Sequence, residues 1–179
     1  MTGLHRLLLA LLPLAACADA GSLFAQTPTR RGTSTQIRVA REAFATGLAA
    51  VSRNPSAFVQ ETRPSTTCEV VISESHAEAL DSLRETQTFD AGFLTTASRM
   101  SIAPCGGIIL LTYATVGGAP KVAREQRRIV NGVARAPVTQ TPGALVISVA
   151  ETSGQSDVLT FTQAWTDLVQ LCGGEVRER

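Results

Sequence analysis

The run Ile108-Ile-Leu-Leu-Thr-Tyr-Ala-Thr-Val116 stands between two glycine pairs, Gly106-Gly107 and Gly117-Gly118. A short apolar segment rich in β-branched and aromatic residues, cut off sharply at both ends, reads as a strand. Its apolar side chains are nearly continuous, which predicts burial on both faces. A strand of that kind obliges the chain to supply neighbours for its backbone. Two segments qualify: Ala144-Leu-Val-Ile-Ser-Val-Ala150, and Cys68-Glu-Val-Val-Ile72.

Helical periodicity occupies other segments. Ile37, Ala40, Phe44, Leu48 and Val51 recur at three- and four-residue steps, with Ser34 or Thr35 placed to cap the start. Asn54-Pro55 ends that helix and has the form of a short second one. Val158, Phe161, Trp165, Leu168 and Cys172 repeat the spacing near the carboxyl end, where Gly173 suits a left-handed cap. Ser75-His-Ala-Glu78 has capping-box spacing and introduces a helix through about Gln87. Phe89, Phe93, Leu94 and Ile102 are core candidates of a stretch with no clear period. Residues 120–135 carry two signals. Ala-Arg-Glu-Gln-Arg-Arg at 123–128 favours helix, whereas Asn131-Gly132 between apolar pairs is a hairpin signal.

The expected fold is α/β: one domain over 34–179 with a small mixed sheet of three to four strands. The strands lie near 68–72, 107–116 and 143–150, and helices at 34–52, 76–87, 120–135 and 157–172 pack on them. Should 120–135 be a hairpin, the sheet becomes antiparallel and the class α+β.

Ahead of this domain, Arg6 precedes ten mostly apolar residues, Leu7 to Ala16, and Asp19 stops the run. About 20 apolar residues are needed to cross a bilayer, so 1–16 reads as a signal peptide. Leu14-Ala15-Ala16-Cys17 resembles the lipobox of bacterial lipoproteins. The resemblance covers only the leader. It implies cleavage before Cys17, lipidation of Cys17 and, from Ala18, an outer-membrane address facing the periplasm. Residues 17–33 then form the lipidated cysteine and its tether. An ordinary cleavage before Gly21 or Gln26, with no anchor, is the competing expectation.

If Cys17 is acylated, Cys68, Cys105 and Cys172 remain for an oxidising compartment, and their pairing is open. No Cys-x-x-Cys occurs, and His76 is the one histidine after the leader, so a zinc site lacks its usual spacing. The catalytic candidates are weak. Cys105, ahead of Gly106-Gly107, has the form of a thiol nucleophile near backbone donors, with His76 as its base. The plainer reading makes Cys105 a disulfide or buried thiol, and His76 an exposed residue of a first helical turn. Gly117-Gly118-Ala119-Pro120-Lys121 lacks phosphate-loop spacing, and no cofactor is expected.

Without Arg6, fifteen basic residues face fifteen acidic ones, which gives no excess for phosphate binding and argues against nucleic acid as a partner. Aromatics are 4% of the chain, too few for stacking platforms. Three functions follow as expectations. The first is a lipid-anchored, non-enzymatic envelope protein that binds another envelope protein. The second is a periplasmic hydrolase or transferase using Cys105 and His76. The third is an unanchored periplasmic small-ligand binder.

Overall fold

The computed structural model describes residues 29–52, 59–62, 67–78, 80–103 and 106–177, with the side chains of 59–62, 76 and 78 outside that description. Among the described residues, two α-helices, α1 (Ser34–Val51) and α2 (Gln155–Leu171), bracket nine strands. These are β1 (Val59–Thr62), β2 (Glu69–Glu78), β3 (Asp81–Asp90), β4 (Leu94–Ile102), β5 (Ile108–Thr115), β6 (Val122–Val130), β7 (Val133–Ala134), β8 (Val138–Gln140) and β9 (Ala144–Ala150).

The strands make two sheets. One has six strands, in the order β1-β2-β3-β6-β7, with β8 also paired to β6. The other has three, in the order β4-β5-β9. Every pairing between these strands is antiparallel, and one isolated parallel bridge joins Thr95 to Glu175. The expected α/β sheet with parallel crossovers is therefore replaced by the antiparallel, α+β-like arrangement. The single mixed sheet of three to four strands becomes two.

Two predicted helices are strands. Residues 76–78 and 81–87 belong to β2 and β3, paired antiparallel from Glu69↔Asp90 to Glu78↔Asp81. Leu83, Glu85, Gln87 and Phe89 share one face at a period of two, a pattern masked in the sequence by the Leu80/Leu83 spacing and the Ser75…Glu78 box. Residues 122–134 form β6 and β7 around a two-residue turn. Asn131 and Gly132 take φ of 53° and 75°, the positive pair a type I′ turn requires. Helix propensity over 123–128 amounts to tenths of a kcal/mol per residue. The ladder that β6 makes with β3, from Ser82↔Ile129 to Phe89↔Val122, outweighs it.

The two other helices stand at their expected places. Thr33, rather than Ser34 or Thr35, caps α1: its hydroxyl accepts from Gln36 N and the Gln36 side chain accepts from Thr33 N. The segment at Asn54-Pro55 lies outside the described residues. α2 ends in a Schellman motif, with Gly174 N–H on Val169 O and Gly173 N–H on Gln170 O. Gly173 has φ of 83°, and a Cβ there would sit 2.0 Å from Thr29 O.

Arg31 and Gly32 donate to Leu171 O, and Ser153 Oγ donates to Val51 O, so the helices run antiparallel. Gly47 permits the contact: a Cβ on it would lie 3.0 Å from Phe161 Cα. Together the helices cover one end of both sheets. Trp165 is fully buried, with ring centroids 4.5 Å from Tyr113, 5.6 Å from Phe44 and 6.1 Å from Phe89. Phe89 and Leu94 are buried as expected, Phe93 is half-buried, and Ile102 is exposed. The strand at 108–115 is less enclosed than predicted, since Ala114 is exposed and Ile108 and Leu110 are half-buried.

A disulfide joins Cys68, at the start of β2, to Cys172, at the end of α2, with Cα atoms 5.7 Å apart. It spans 104 residues of sequence. In the chain-entropy account, closing so long a loop contributes on the order of 5 kcal/mol.

Candidate functional site

The inner face of the six-stranded sheet changes character along its length. Nearest the helices, Val70, Phe89 and Val122 lie side by side and are buried. One row further, Ile72, Gln87 and Arg124 are neighbours. In the third row come Glu74, Glu85 and Gln126. This polar half meets the outer edge of β9, the side that β5 leaves unpaired.

Side chains complete that edge. Gln87 is buried, and its amide works as a peptide unit would: Nε2 donates to Val146 O at 2.6 Å, and Oε1 accepts from Val146 N at 3.1 Å. Two residues along, Glu74 accepts from Ser148 N at 3.3 Å and from Ser148 Oγ at 2.9 Å. Opposite Glu74, Glu85 accepts from Arg124 Nη2 and from Gln126 Nε2, each at 2.7 Å. Burial pushes the Glu74 carboxyl above its usual range; the Ser148 bonds and Arg124 act against that, while the neighbouring Glu85 charge adds to it.

Two carboxylates in unlike surroundings, one paired with arginine and one with a raised pKa, resemble the parts of an acid–base pair. Their partners give them different work. Glu74 and Gln87 are spent on the backbone and hydroxyl of β9, and they join the two sheets at the edge of the apolar core, beside the buried Ile72. The cluster is a structural seam. Sequence reading did not bring Glu74, Glu85, Gln87, Gln126 and Ser148 together, although polar residues alternating with Leu83 and Phe89 on one strand face were a visible sign.

A second buried charge ties α1 to the disulfide. Arg41 is buried and donates from Nη1 to Thr67 O at 2.9 Å, one residue before Cys68. Burial lowers its basicity, and the charge of Glu69 opposes that.

A groove of about 560 Å³ runs outside the helix pair, open to solvent, between Arg31, Gln36, Val39 and Ala43 on one side and Asp167 and Leu171 on the other. It lies behind the core rather than within it.

The sequence candidates are dispersed. Cys17, Cys105 and residues 1–28 lie outside the described residues. His76 is in β2 opposite Leu83, not in a first helical turn, and its side chain is not described. Gly106 and Gly107 have φ of 72° and 69° and lead into β5, and Gly107 N–H donates to Glu151 Oε2 at 3.1 Å. That donor is engaged, so it does not face a reacting oxyanion. Cys68 and Cys172 are joined to each other. Lys121 Nζ stands 4.9 Å over the Phe93 ring, away from any phosphate-loop geometry. Trp165 and Phe161 are core residues. Among the described residues, no three His, Cys, Asp or Glu side chains are grouped to hold a metal, and no helix is long and apolar enough to cross a membrane.

No protein-family model, curated protein or solved structure matches the chain.

Proposed function

We propose that the chain is a lipid-anchored protein of the bacterial envelope whose domain faces the periplasm and works by binding rather than by catalysis. The Cys68–Cys172 disulfide is the observation that carries the reading. Such a bond, at the junction of α2 and β2 with Cys172 buried and Cys68 partly so, suits an oxidising compartment and agrees with the leader of residues 1–16 and the lipobox at Cys17. Support for a binding role comes from the site geometry. The polar groups with unusual environments, Glu74, Gln87 and Arg41, are committed to holding backbone, which leaves the outer surfaces for recognition.

Intact-mass analysis of the protein purified from membranes tests the reading. The expected species begins at Cys17, carries acyl chains and lacks the two hydrogens removed by one disulfide. Cys17→Ala is expected to move the protein to the soluble periplasmic fraction. A native chain beginning at Gly21 or Gln26, or a Cys17→Ala chain equally bound to membranes, overturns the anchor.

A further inference from the structure

The two edges of the three-stranded sheet are treated differently. On β9 the outer edge is closed by Gln87 and Glu74. On β4 only the first part is taken, by the segment after α2: Glu175 N–H donates to Leu94 O, and Thr96 N–H donates to Glu175 O. Further along, Ala103 N–H donates to Ile108 O, toward β5. Strand alternation then turns the backbone groups of Arg99 and Ser101 to β5 and those of Ser98, Met100 and Ile102 outward. Among the described residues no strand pairs with that outer edge.

Exposure on the inner face climbs toward the same edge. Ile147, Leu111 and Met100 form one row across the sheet, and Val149, Ile109 and Ile102 the next. Ile147 is 0% exposed, Leu111 9% and Met100 71%; Val149 is 2% exposed and Ile102 68%. The apolar face of the core thus continues past its cover. Free edges are ordinarily blunted by proline, lysine or a bulge. The segment Ser98-Arg-Met-Ser-Ile102 holds no proline or lysine, and the irregularity of β4 lies before it, between Leu94 and Ser98. Its one charge, Arg99, is on the opposite face from Met100 and Ile102.

We infer that this edge is the contact through which two copies of the chain pair, β4 against β4 in antiparallel sense, so that their three-stranded sheets join into one. The strand's own residues select both occupant and register. With a twofold axis at Met100, that residue faces its own copy, and Ser98 faces Ile102 of the second copy. All the outward backbone groups of Ser98, Met100 and Ile102 are then exchanged, and the Met100 and Ile102 side chains of both copies gather on one face. Arg99 falls opposite Ser101 of the second copy. An axis at Arg99 would set two like charges directly opposite, and an axis at Ser101 would engage only Met100 and Ile102. The pairing stops short of Thr96, where Glu175 is bound. Its shortness makes the dimer weak and reversible rather than obligate. Pairing goes beyond the proposed anchor and does not depend on it.

The test uses the chain from residue 17 onward carrying Cys17→Ala and Cys105→Ser, with the Cys68–Cys172 bond intact. Sedimentation equilibrium is expected to show monomer and dimer exchanging with a dissociation constant of about 10–100 µM. Met100→Lys sets two like charges on the axis and is expected to weaken pairing at least about tenfold with unchanged circular dichroism. Cross-linking under mild oxidation reads the register. Met100→Cys is expected to link the copies, because facing Cα atoms of such a pair stand about 5.5 Å apart, within disulfide reach. Arg99→Cys is expected to link at least about tenfold more slowly. A parent chain that stays monomeric at about 1 mM overturns the inference. A dimer indifferent to Met100→Lys, or equal cross-linking of the two cysteine variants, overturns it as well. Should the monomeric parent dimerise only after deletion of residues 18–28, the edge belongs to that segment and not to a second copy.

Discussion

Strand β3 belongs to two different environments. At its Phe89 end it lies under both helices, within 6.1 Å of the Trp165 ring, beside the disulfide and the Gly173-Gly174 turn. At its Asp81 end it is a ribbon between two hairpin neighbours with solvent on both faces. The same backbone ladder runs through both halves. What differs is the source of stability. The near half rests on apolar burial, while the far half rests on hydrogen bonds, turn geometry and cross-strand polar pairs, which contribute less per residue. Between them, the seam of Glu74, Glu85, Gln87 and Arg124 converts one regime into the other. Stability is therefore expected to decline along the strands.

The sharpest way to break this contrast is at the core. Trp165→Ala removes the ring shared by Phe44, Phe89 and Tyr113 and is expected to cost about 4 kcal/mol in urea unfolding. A loss under 1 kcal/mol would mean that the helices are not the main support. Next is the seam. Gln87→Ala strands the N–H and C=O of Val146 at a buried edge, and a loss of about 2–3 kcal/mol is expected.

Glu74→Gln probes the seam through pH. The Glu74 carboxyl is raised in the folded state, so its ionisation opposes folding. Its protonated form favours the fold fully below the ordinary glutamate value, and that advantage is lost as pH rises through the raised value. The native chain is thus expected to gain stability relative to Glu74→Gln as pH falls from neutral toward the ordinary glutamate range. A difference in stability that stays flat with pH removes the claim. The smallest effect belongs to the β6–β7 turn. Gly132→Ala, at φ of 75°, is expected to cost about 1 kcal/mol or less globally, yet to speed amide exchange in β6 and β7 well before the core amides respond. Uniform acceleration across β3 would show that the two halves unfold as one.

Much of the near half was readable without the structure. Helices at 34–52 and 157–172 and strands at 107–116 and 143–150 follow from unbroken periodicity, because each buries its apolar face against the core and carries the record of that face in its spacing. The far half was misread. Residues 76–87 and 120–135 have little apolar burial to imprint a period, so local propensity and an apparent capping box were the loudest signals. Leu83 and Arg128, or Gln87 and Arg124, become neighbours only by pairing across the chain.

The amino-acid order alone carried the two helices and the strands at 108–115 and 144–150, and it marked Asn131-Gly132, which takes positive φ at both positions, as a turn that helix propensity over 123–128 obscured. Tertiary structure decided which cysteines meet, which edge Glu74 and Gln87 complete, and that Met100 and Ile102 stand at an open one. The physical reason is separation along the chain. A periodic face is a local property, whereas a disulfide across 104 residues, or a side chain standing in for a strand 59 residues away, depends on where packing brings distant backbone together.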